Sequence, residues 1–359
     1  MPEQSSRIEP QSPAELADAL AASAAQNKSI QLGDPKGVSA DVAISTSRMT
    51  RVLQYEPRDL TISVEAGITY AELSRILADN QQMIPLDPPW SSSVTLAGSL
   101  AANLNGPRRR LYGTGRDLVI GMTFATLEGK LVQTGGMVVK NVAGLDMGKL
   151  MIGSHGTLAG IATVNFKLNP IPKVSATFGY EFASAAEAFA MRDRVLKGQL
   201  QPAALDILNP AASERAGLSK SWNLLMLSVA MPERFEREFP GGRALPESAW
   251  EPVREFTASW LAANPNAVIA RCSTTHKGMK QILSDALQTP AIARAASGVV
   301  YLYDPAQLPK TCPYVLEYAP AGTPDRWPQP GSSFDVMQRI KQMFDPKGLL
   351  NKGALYGRI

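Results

Sequence analysis

Hydrophobic and polar positions alternate over short stretches in the first half of the chain, and this pattern predicts strands. Leu60, Ile62 and Val64 show the two-residue period most clearly. The strands predicted in this way cover residues 42–44, 60–64, 119–124, 130–133 and 163–168. None is longer than six residues, so we expect small sheets in this half of the protein.

Two capping boxes mark where helices begin between these strands. Ser12-Pro13-Ala14-Glu15 places a capping serine before a proline at the first helical position, and its helix is predicted to run to about Ala25. Thr69 and Glu72 form the second box. The apolar residues that follow, at positions 73, 76 and 77, share one helix face, which we expect to pack on the strands.

The second half of the chain predicts a sheet covered by helices. Strands are indicated at 178–182, 204–208, 224–229, 268–272 and 299–303, and helices at 184–197, 248–263 and 277–288. A last helix, at about 334–344, is ended by Pro346. The predicted fold class is α+β. Its predicted parts are a first domain at 1–172, a second domain at 173–330 and a C-terminal segment at 331–359.

Composition agrees with two domains and excludes several classes of function. The chain has 359 residues, more than one compact core usually holds. Its net charge is +4, from 36 basic and 32 acidic residues, which does not favour nucleic acid as a partner. The sequence contains no run of about 18 apolar residues, so no membrane span is predicted. Two cysteines and a polar start, MPEQSSRIEP, favour a reducing, cytoplasmic setting.

Three segments rich in glycine and other small residues are the candidate chemistry. They are 95–118, 135–150 and 153–168. In the first, small residues crowd together at Ala97, Gly98 and Ser99, so a ligand or a second backbone can come close. Glycine turns also present free N–H groups, which favour a pyrophosphate. Tight packing is the alternative interpretation of each segment taken alone.

These segments resemble a known family. The motifs that carry the resemblance are Asp87-Pro88-Pro89, Gly106-Pro107-Arg108-Arg109, Arg116-Asp117, Val139-Lys140-Asn141-Val142-Ala143-Gly144, Gly156-Thr157-Leu158 and the closing FDPKGLLNKGALYG. They resemble the PCMH-type FAD domain of the vanillyl-alcohol-oxidase family. Within that family they are most similar to the FAD-binding E subunits of bacterial glycolate oxidases. The resemblance covers 8–172 and 334–359 and is faint in between.

The resemblance implies a fold and a cofactor site. The fold is a PCMH-type FAD-binding domain of two α+β subdomains, to which the C-terminal segment returns, plus an α+β cap domain. The cofactor is FAD, held non-covalently and mostly through backbone amides. The implied flavin side consists of Thr95, Ala97, Gly98, Ser99 and Asn103, with Gly113 and Asp117 shaping the same wall. The implied adenine end consists of Gly156, Gly160, Ile161 and Ala162.

Three positions depart from the family pattern. The first phosphate-binding loop, normally a run of glycines, is replaced by IQLGDPKG at 30–37. Pro35 has no N–H to donate there, and Asp34 brings a negative charge towards a phosphate. Ala97 and Ala159 stand where the family usually has glycine. These changes lend weight to the alternative of a scaffold that has lost FAD, but FAD remains the cofactor that we expect.

The adjacent cations Arg108, Arg109 and Arg110 have three interpretations. They form a solvated loop, an anion-binding loop at the mouth of a pocket, or a docking surface for an acidic partner. Consecutive side chains diverge, so only one or two of them can reach a pocket. Arg109 or Arg116 is the residue we expect there.

Catalytic residues cannot be assigned from the sequence. Oxidation of a 2-hydroxy acid needs a group that takes the hydroxyl proton, yet the chain has only two histidines, His155 and His276, and no metal-ligand spacing. Glu317 and Tyr318 are pocket candidates that an edge strand explains equally well. Whether the chain is an enzyme on its own therefore stays open.

Three functions remain open at this point. The first is an accessory or electron-relaying FAD subunit of a glycolate oxidase complex, with a catalytic flavoprotein subunit and an iron–sulfur subunit as partners. That complex would be cytoplasmic, with any membrane contact made through its partners. The second is a stand-alone FAD-dependent 2-hydroxy-acid dehydrogenase that binds a small 2-hydroxy acid. The third is the scaffold without cofactor.

Overall fold

The computed structural model describes residues 6–33, 40–137, 145–320 and 322–359. The strands in these ranges are β1 Ser6–Ile8, β2 Ile30–Leu32, β3 Val42–Ile44, β4 Val52–Glu56, β5 Thr61–Glu65, β6 Gln82–Met83, β7 Val119–Ala125, β8 Leu131–Gly135, β9 Gly160–Lys167, β10 Asn169–Pro170, β11 Ala176–Phe182, β12 Ala204–Leu208, β13 Trp222–Ser228, β14 Arg243–Leu245, β15 Ile269–Ser273, β16 Ala291–Arg294, β17 Val299–Tyr303 and β18 Tyr314–Tyr318. The helices are α1 Pro13–Ala25, α2 Tyr70–Ala78, α3 Leu96–Ala101, α4 Arg109–Tyr112, α5 Gly115–Leu118, α6 Gly148–Met151, α7 Ala185–Lys197, α8 Pro210–Arg215, α9 Pro232–Glu238, α10 Glu251–Arg254, α11 Phe256–Ala263, α12 His276–Asp285 and α13 Phe334–Phe344.

The chain forms two compact units, and the first is made of 1–105, 114–171 and 329–359. It contains a three-stranded parallel sheet in the order β1-β3-β2 and a five-stranded antiparallel sheet in the order β4-β5-β9-β7-β8. Helix α1 packs on β7 and β9, with Leu16 and Leu20 fully buried. The two sheets and α1 form the scaffold that carries the glycine segments of this unit.

The helix starts predicted from capping residues are confirmed. The Ser12 hydroxyl accepts a hydrogen bond of 3.2 Å from the Glu15 N–H, and Pro13 is the first residue of α1. The Thr69 hydroxyl accepts one of the same length from the Glu72 N–H at the start of α2. Each cap satisfies an N–H group that the first helical turn leaves without a backbone partner.

The second unit is made of 106–113 and 172–328. Its eight strands form one antiparallel sheet in the order β14-β11-β13-β12-β16-β17-β15-β18. Helices α7 and α12 cover one face, where apolar side chains of the strands and helices form a continuous core. This is the helix-covered sheet that the sequence predicts.

The arginine segment packs with the second unit, whereas the boundaries drawn from sequence put it in the first. Residues Gly106–Gly113 include α4, which lies against β12. The Arg110 guanidinium donates a hydrogen bond to the side-chain oxygen of Gln201. The segment therefore leaves the first unit after Asn105 and rejoins it at Thr114.

Several predicted elements differ in extent from the observed ones, among them β9 and the helix predicted at 248–263. Strand β9 begins at Gly160, three residues before the predicted start. The helix predicted at 248–263 is divided into a 3-10 turn at Glu247–Trp250 followed by α10 and α11, which meet at Glu255. A proline at position 252 in the first turn of α10 is compatible with a new helix start there.

Candidate functional site

Two of the glycine segments lie side by side in the first unit. The Gly153 N–H donates to the Leu100 carbonyl at 3.0 Å, and the His155 N–H donates to the Ala101 carbonyl at 2.9 Å. The Ala97 N–H donates to the Ala66 carbonyl at 2.7 Å, which fixes α3 to the end of β5. The backbone thus brings together segments that are about fifty residues apart in sequence.

Helix α3 presents a surface almost free of side chains. Thr95 caps it, accepting a hydrogen bond of 3.1 Å from the Gly98 N–H. Gly98 is exposed, and a Cβ added to it would meet only Thr95 Oγ1 at 3.3 Å and Val94 Cγ2 at 3.9 Å. A flat ligand can therefore approach the backbone of this helix closely.

Ser99, beside Gly98, carries a buried hydroxyl that lacks a partner. The residue is 1% exposed, and its Oγ makes no hydrogen bond to any residue that the structure describes. A buried hydroxyl without a partner is costly, and such groups are uncommon in folded proteins. This serine is the feature expected where a polar ligand completes the site.

The glycine segment at 153–168 turns sharply at 153–157. Gly153, His155 and Gly156 have φ angles of +83°, +52° and +69°, in the left-handed region that favours glycine. A Cβ on Gly156 would lie 2.6 Å from Asn351 Nδ2, so no side chain fits there. The Gly156 N–H is held by Ser154 Oγ at 3.3 Å.

Asn351, in the C-terminal segment, ties this turn to the end of β2. Its side-chain oxygen accepts from the Leu32 N–H at 2.7 Å, and its side-chain nitrogen donates to the Leu32 carbonyl at 3.1 Å and the His155 carbonyl at 2.7 Å. Strand β2 leads into the first predicted phosphate loop. Asn351 therefore places that loop's first residues beside the Gly156 turn.

A buried ion pair anchors the same C-terminal segment. Lys341 Nζ donates to Asp345 Oδ2 at 2.6 Å, to the Thr157 carbonyl at 2.8 Å and to the Leu350 carbonyl at 3.0 Å. Burial lowers the pKa of Lys341, although Asp345 opposes that shift. All three ammonium protons have acceptors, so the pair holds the segment in place without an unsatisfied charge. Sequence reasoning found the closing motif but missed the contacts of Lys341, Asp345 and Asn351.

The predicted residues of the flavin side lie in three places. Thr95, Ala97, Gly98 and Ser99 lie on or next to α3, and Asn103 follows the helix, exposed, with a φ of +52°. Asp117 closes the capping box of α5, where its Oδ2 accepts from the Thr114 N–H at 2.8 Å. Arg109 and Gly113 belong to the segment that packs with the second unit. Their contact with FAD stays a prediction.

The predicted residues of the adenine end divide into a turn and a strand. Gly156 belongs to the turn described above. Gly160, Ile161 and Ala162 are buried in β9, and a Cβ on Gly160 would meet Leu16 and Leu20 at 3.3 Å. The side chains of Ile161 and Ala162 are part of the core and Gly160 has none, so any role at the cofactor would use main-chain atoms alone. Ala159 is likewise buried in the core.

Two of the sequence predictions fall mostly outside the described residues. Positions 34–39 contain Asp34, Pro35, Lys36 and Gly37 of the altered first loop, and 138–144 contain the Val139–Gly144 motif of the glycine segment at 135–150. Gly135, at the start of that segment, is described and has a φ of +67°. A Cβ there would lie 2.2 Å from the Ile120 carbonyl oxygen, so the turn requires glycine.

Comparison with known proteins gives two matching families and a set of relatives. Residues 5–135 match an FAD binding domain, and residues 330–355 match the C-terminal domain of FAD linked oxidases. The chain is 27% identical to glycolate oxidase subunit GlcE of Escherichia coli, over 86% of this chain and 85% of that protein. It is 29% identical to glycolate oxidase subunit GlcD of Bacillus subtilis and 30% identical to a mitochondrial D-lactate dehydrogenase of Arabidopsis thaliana. Those two matches cover 45% and 57% of this chain, but only 34% and 36% of the relatives.

A solved structure shares the fold. Alkyldihydroxyacetonephosphate synthase superposes with a TM-score of 0.73 over 96% of this chain and 76% of its own, at 17% identity. Within the described ranges, no helix is long and apolar enough to cross a membrane. Those ranges also contain no group of three or more His, Cys, Asp or Glu side chains placed to hold a metal ion.

The geometry of the first unit fits FAD, the cofactor named by the matching domain descriptions. The exposed backbone at Gly98, the Ser99 hydroxyl and the glycine turn at Gly156 offer close approach and hydrogen-bonding groups of the kind that a dinucleotide needs. Asn351 joins the turn to β2, which precedes the first loop. Residues 5–135 and 330–355 are similar to the two domains of FAD linked oxidases, and the chain has a PCMH-type fold and uses FAD as its cofactor.

Proposed function

We propose that this chain is an accessory or electron-relaying FAD subunit of a 2-hydroxy-acid oxidase complex whose substrate is glycolate. A catalytic flavoprotein subunit and an iron–sulfur subunit would be its partners, and any contact of the complex with a membrane would be made through them. The observation that carries the proposal is the match to glycolate oxidase subunit GlcE, which extends over most of both chains. The match to GlcD covers only part of each protein.

The positions of the two histidines support an accessory role. When bound, FAD accepts a hydride and passes on its electrons, but the alcohol must also lose a proton to a base. His155 lies in the left-handed turn of the first unit, and its carbonyl accepts from Asn351. His276 is exposed at the first position of α12. His155 therefore lies in a turn and His276 at the start of a helix, and a structural role explains both positions.

A stand-alone 2-hydroxy-acid dehydrogenase is the second candidate. The similarity to D-lactate dehydrogenases from several organisms favours it, since those names describe proteins that act on a 2-hydroxy acid. Both candidates require bound FAD, so flavin content alone does not separate them. Turnover by the isolated chain does.

The test uses the chain purified alone and the chain recovered from its native host. We expect the isolated chain to bind FAD and to leave it oxidised when glycolate is added without oxygen, and the native chain to copurify with a second flavoprotein. Reduction of the flavin by glycolate in the isolated chain would support the dehydrogenase instead. A native chain that purifies alone would contradict a role in a complex.

A further inference from the structure

The two cysteines of the chain lie next to each other in the second unit. Cys272 belongs to β15, and Cys312 lies two residues before the start of β18. Both are free thiols in this structure, and neither contributes to the cofactor site of the first unit. We call these two residues the thiol pair. Nothing in the proposed function accounts for it.

The strand register brings the thiol pair together. Strands β15 and β18 are antiparallel neighbours, and Cys272 lies directly opposite Tyr314. The pairing continues beyond the first residue of β18, because the Ser273 N–H donates to the Pro313 carbonyl at 3.2 Å. The segment before β18 therefore runs beside β15. Cys312, two positions before Tyr314, is a diagonal neighbour of Cys272.

The two thiols also share one face of the sheet. Cys272 is fully buried in the apolar core of the second unit, and Cys312 and Tyr314 pack against that same core. Each thiol is close enough to the other to act as its hydrogen-bond partner. A disulfide between them therefore needs only a short approach of the two sulfur atoms.

The two thiols differ in how easily a reagent reaches them. Cys272 is fully buried, whereas Cys312 is only half-buried. Burial raises the pKa of Cys272 to about 12, and burial also raises the pKa of Cys312 against the opposing hydrogen bond from Cys272. Both groups are therefore thiols at neutral pH, and their oxidation is slow. A small uncharged oxidant reaches Cys312 first.

A disulfide suits this location better than the other products of thiol oxidation. Sulfinic and sulfonic acids carry a negative charge, which is costly against an apolar core. A disulfide is uncharged and has no S–H proton that needs an acceptor. The surroundings of Cys272 thus favour the reversible product over the irreversible ones.

We propose that the thiol pair is a modification site at which hydrogen peroxide forms a disulfide within one chain. In the first step, the O–O bond of peroxide breaks and the Cys312 sulfur gains an S–OH group, while its thiol proton leaves in a water molecule. In the second step, the Cys272 sulfur displaces that hydroxyl, which leaves as a second water with the Cys272 proton. Two electrons pass from the two thiols to peroxide. The inference does not depend on the proposed function.

The disulfide would hold the start of an edge strand. Strand β18 is the last strand of the eight-stranded sheet and is paired there with β15 alone. Its pairing with β15 also contains a register shift between Ile269 and Ala270. A covalent link at Cys272 and Cys312 would tie the segment before β18 to β15 and restrict its separation from the sheet.

Peroxide treatment of the purified chain, followed by a thiol count and peptide mapping without reductant, tests the site. We expect the two thiols of the denatured chain to disappear, and the tryptic peptides that contain Cys272 and Cys312 to be joined. Dithiothreitol should restore both thiols. Met343, which is 81% exposed, serves as an internal control, since its sulfoxide shows that peroxide has acted.

Two variants separate the proposed steps. Cys272→Ala removes the second thiol, so the sulfenic acid of Cys312 should accumulate and be trapped by dimedone. Cys312→Ser removes the accessible thiol, so Cys272 should keep its thiol while Met343 is oxidised. A Cys272 that is oxidised as fast in this variant as in the wild type would contradict the order of the steps and overturn the proposal.

The melting temperature tests the structural consequence. The peroxide-treated chain should melt about 3 °C or more above the same sample after reduction, which keeps the methionine oxidation but lacks the disulfide. Equal melting temperatures would overturn the proposed hold on β18. Oxidation of Met343 with both thiols intact would overturn the site itself. So would a linkage between two chains, or sulfinic acid at Cys312 beside a free Cys272.

Discussion

Gly98 and Ser99 are neighbours on α3 with opposite environments. Gly98 is exposed, and a Cβ at that position would have only two side-chain atoms within 4 Å, whereas the Ser99 hydroxyl is buried without a partner among the described residues. Both observations are explained if the flavin lies over this helix. Each leads to a prediction that a purely structural role would not make.

Gly98→Trp should abolish FAD binding, because an indole would occupy the volume in which we place the flavin. The measurement is the visible absorption of the purified variant after incubation with excess FAD. Gly331→Trp is the matched control, since a Cβ on Gly331 would have nothing within 4 Å and the residue lies in the C-terminal part of the same unit. If Gly98→Trp kept its bound flavin, the flavin would have to lie elsewhere.

Ser99→Ala should leave the stability of the flavin-free chain unchanged or slightly raised, because it removes a buried polar group that lacks a partner in the described part of the chain. The same change should weaken FAD binding by about three- to tenfold, the loss of one hydrogen bond. Ser23→Ala is the control: Ser23 is buried in α1 and its hydroxyl donates to the Ala19 carbonyl at 2.8 Å. That variant should lose stability and keep its FAD affinity. Equal effects of the two variants on FAD binding would count against a flavin contact at Ser99.

At Asn351, we predict that a small chemical change lowers the stability of the protein more than a large one does. Asn351→Ala removes three side-chain hydrogen bonds and should cost about 2–4 kcal/mol of unfolding free energy. Asn351→Asp keeps one acceptor but points a carboxylate oxygen at the carbonyls of Leu32 and His155, so it should cost more. Urea unfolding of both variants checks the order. An aspartate variant as stable as wild type would show that Asn351 does not join β2 to the turn.

At the scale of elements, helix α5 depends on the capping box of Thr114 and Asp117. Asp117 Oδ2 accepts from the Thr114 N–H at 2.8 Å and from the Thr114 hydroxyl at 3.0 Å. The backbone hydrogen bond from Thr114 lowers the pKa of Asp117, and partial burial opposes that shift. The helix has only four residues, so its cap contributes a large share of its stability.

The lowered pKa of Asp117 sets the pH range in which the cap contributes. The folded protein favours the charged carboxylate, so the stabilisation is complete above the unfolded-state pKa of about 4 and is lost as the pH falls through the folded-state pKa. Asp117→Asn should cost about 0.5–1 kcal/mol at pH 7, a modest figure because the residue is exposed to solvent. Urea unfolding at several pH values should show the difference from wild type shrinking below about pH 4. A difference that persisted unchanged to pH 2.5 would contradict this account.

The sequence predicted elements well where local signals and burial agree. Ser12, Thr69 and the alternation at Leu60–Val64 mark α1, α2 and β5 because capping and hydrophobic–polar alternation are signals that act within a few residues. Strand β4 escaped prediction because it is an edge strand whose side chains are mostly exposed, so no alternation appears. Strand β16 was also missed: its sequence, AIAR, is short and buried throughout. In both strands the pairing with neighbours, which is remote in sequence, decides the structure.

At the scale of the whole molecule, the assignment of segments to units could not be read from sequence. The arginine segment lies between two stretches of the first unit yet packs with the second, where Arg110 contacts Gln201. Those two side chains are 91 positions apart in the chain, and no local pattern records such a contact. The site contacts of Lys341 and Asn351 were hidden for the same reason, although the motif that contains Asn351 was recognised.

The central claim is that the first unit holds FAD through backbone and small polar groups. It is tested most directly by the visible absorption spectrum of the purified chain incubated with FAD and freed of excess cofactor. We predict a flavin spectrum with about one FAD per chain, all of it released when the protein is denatured, since the binding is non-covalent. A chain that stays colourless after this treatment would contradict the claim.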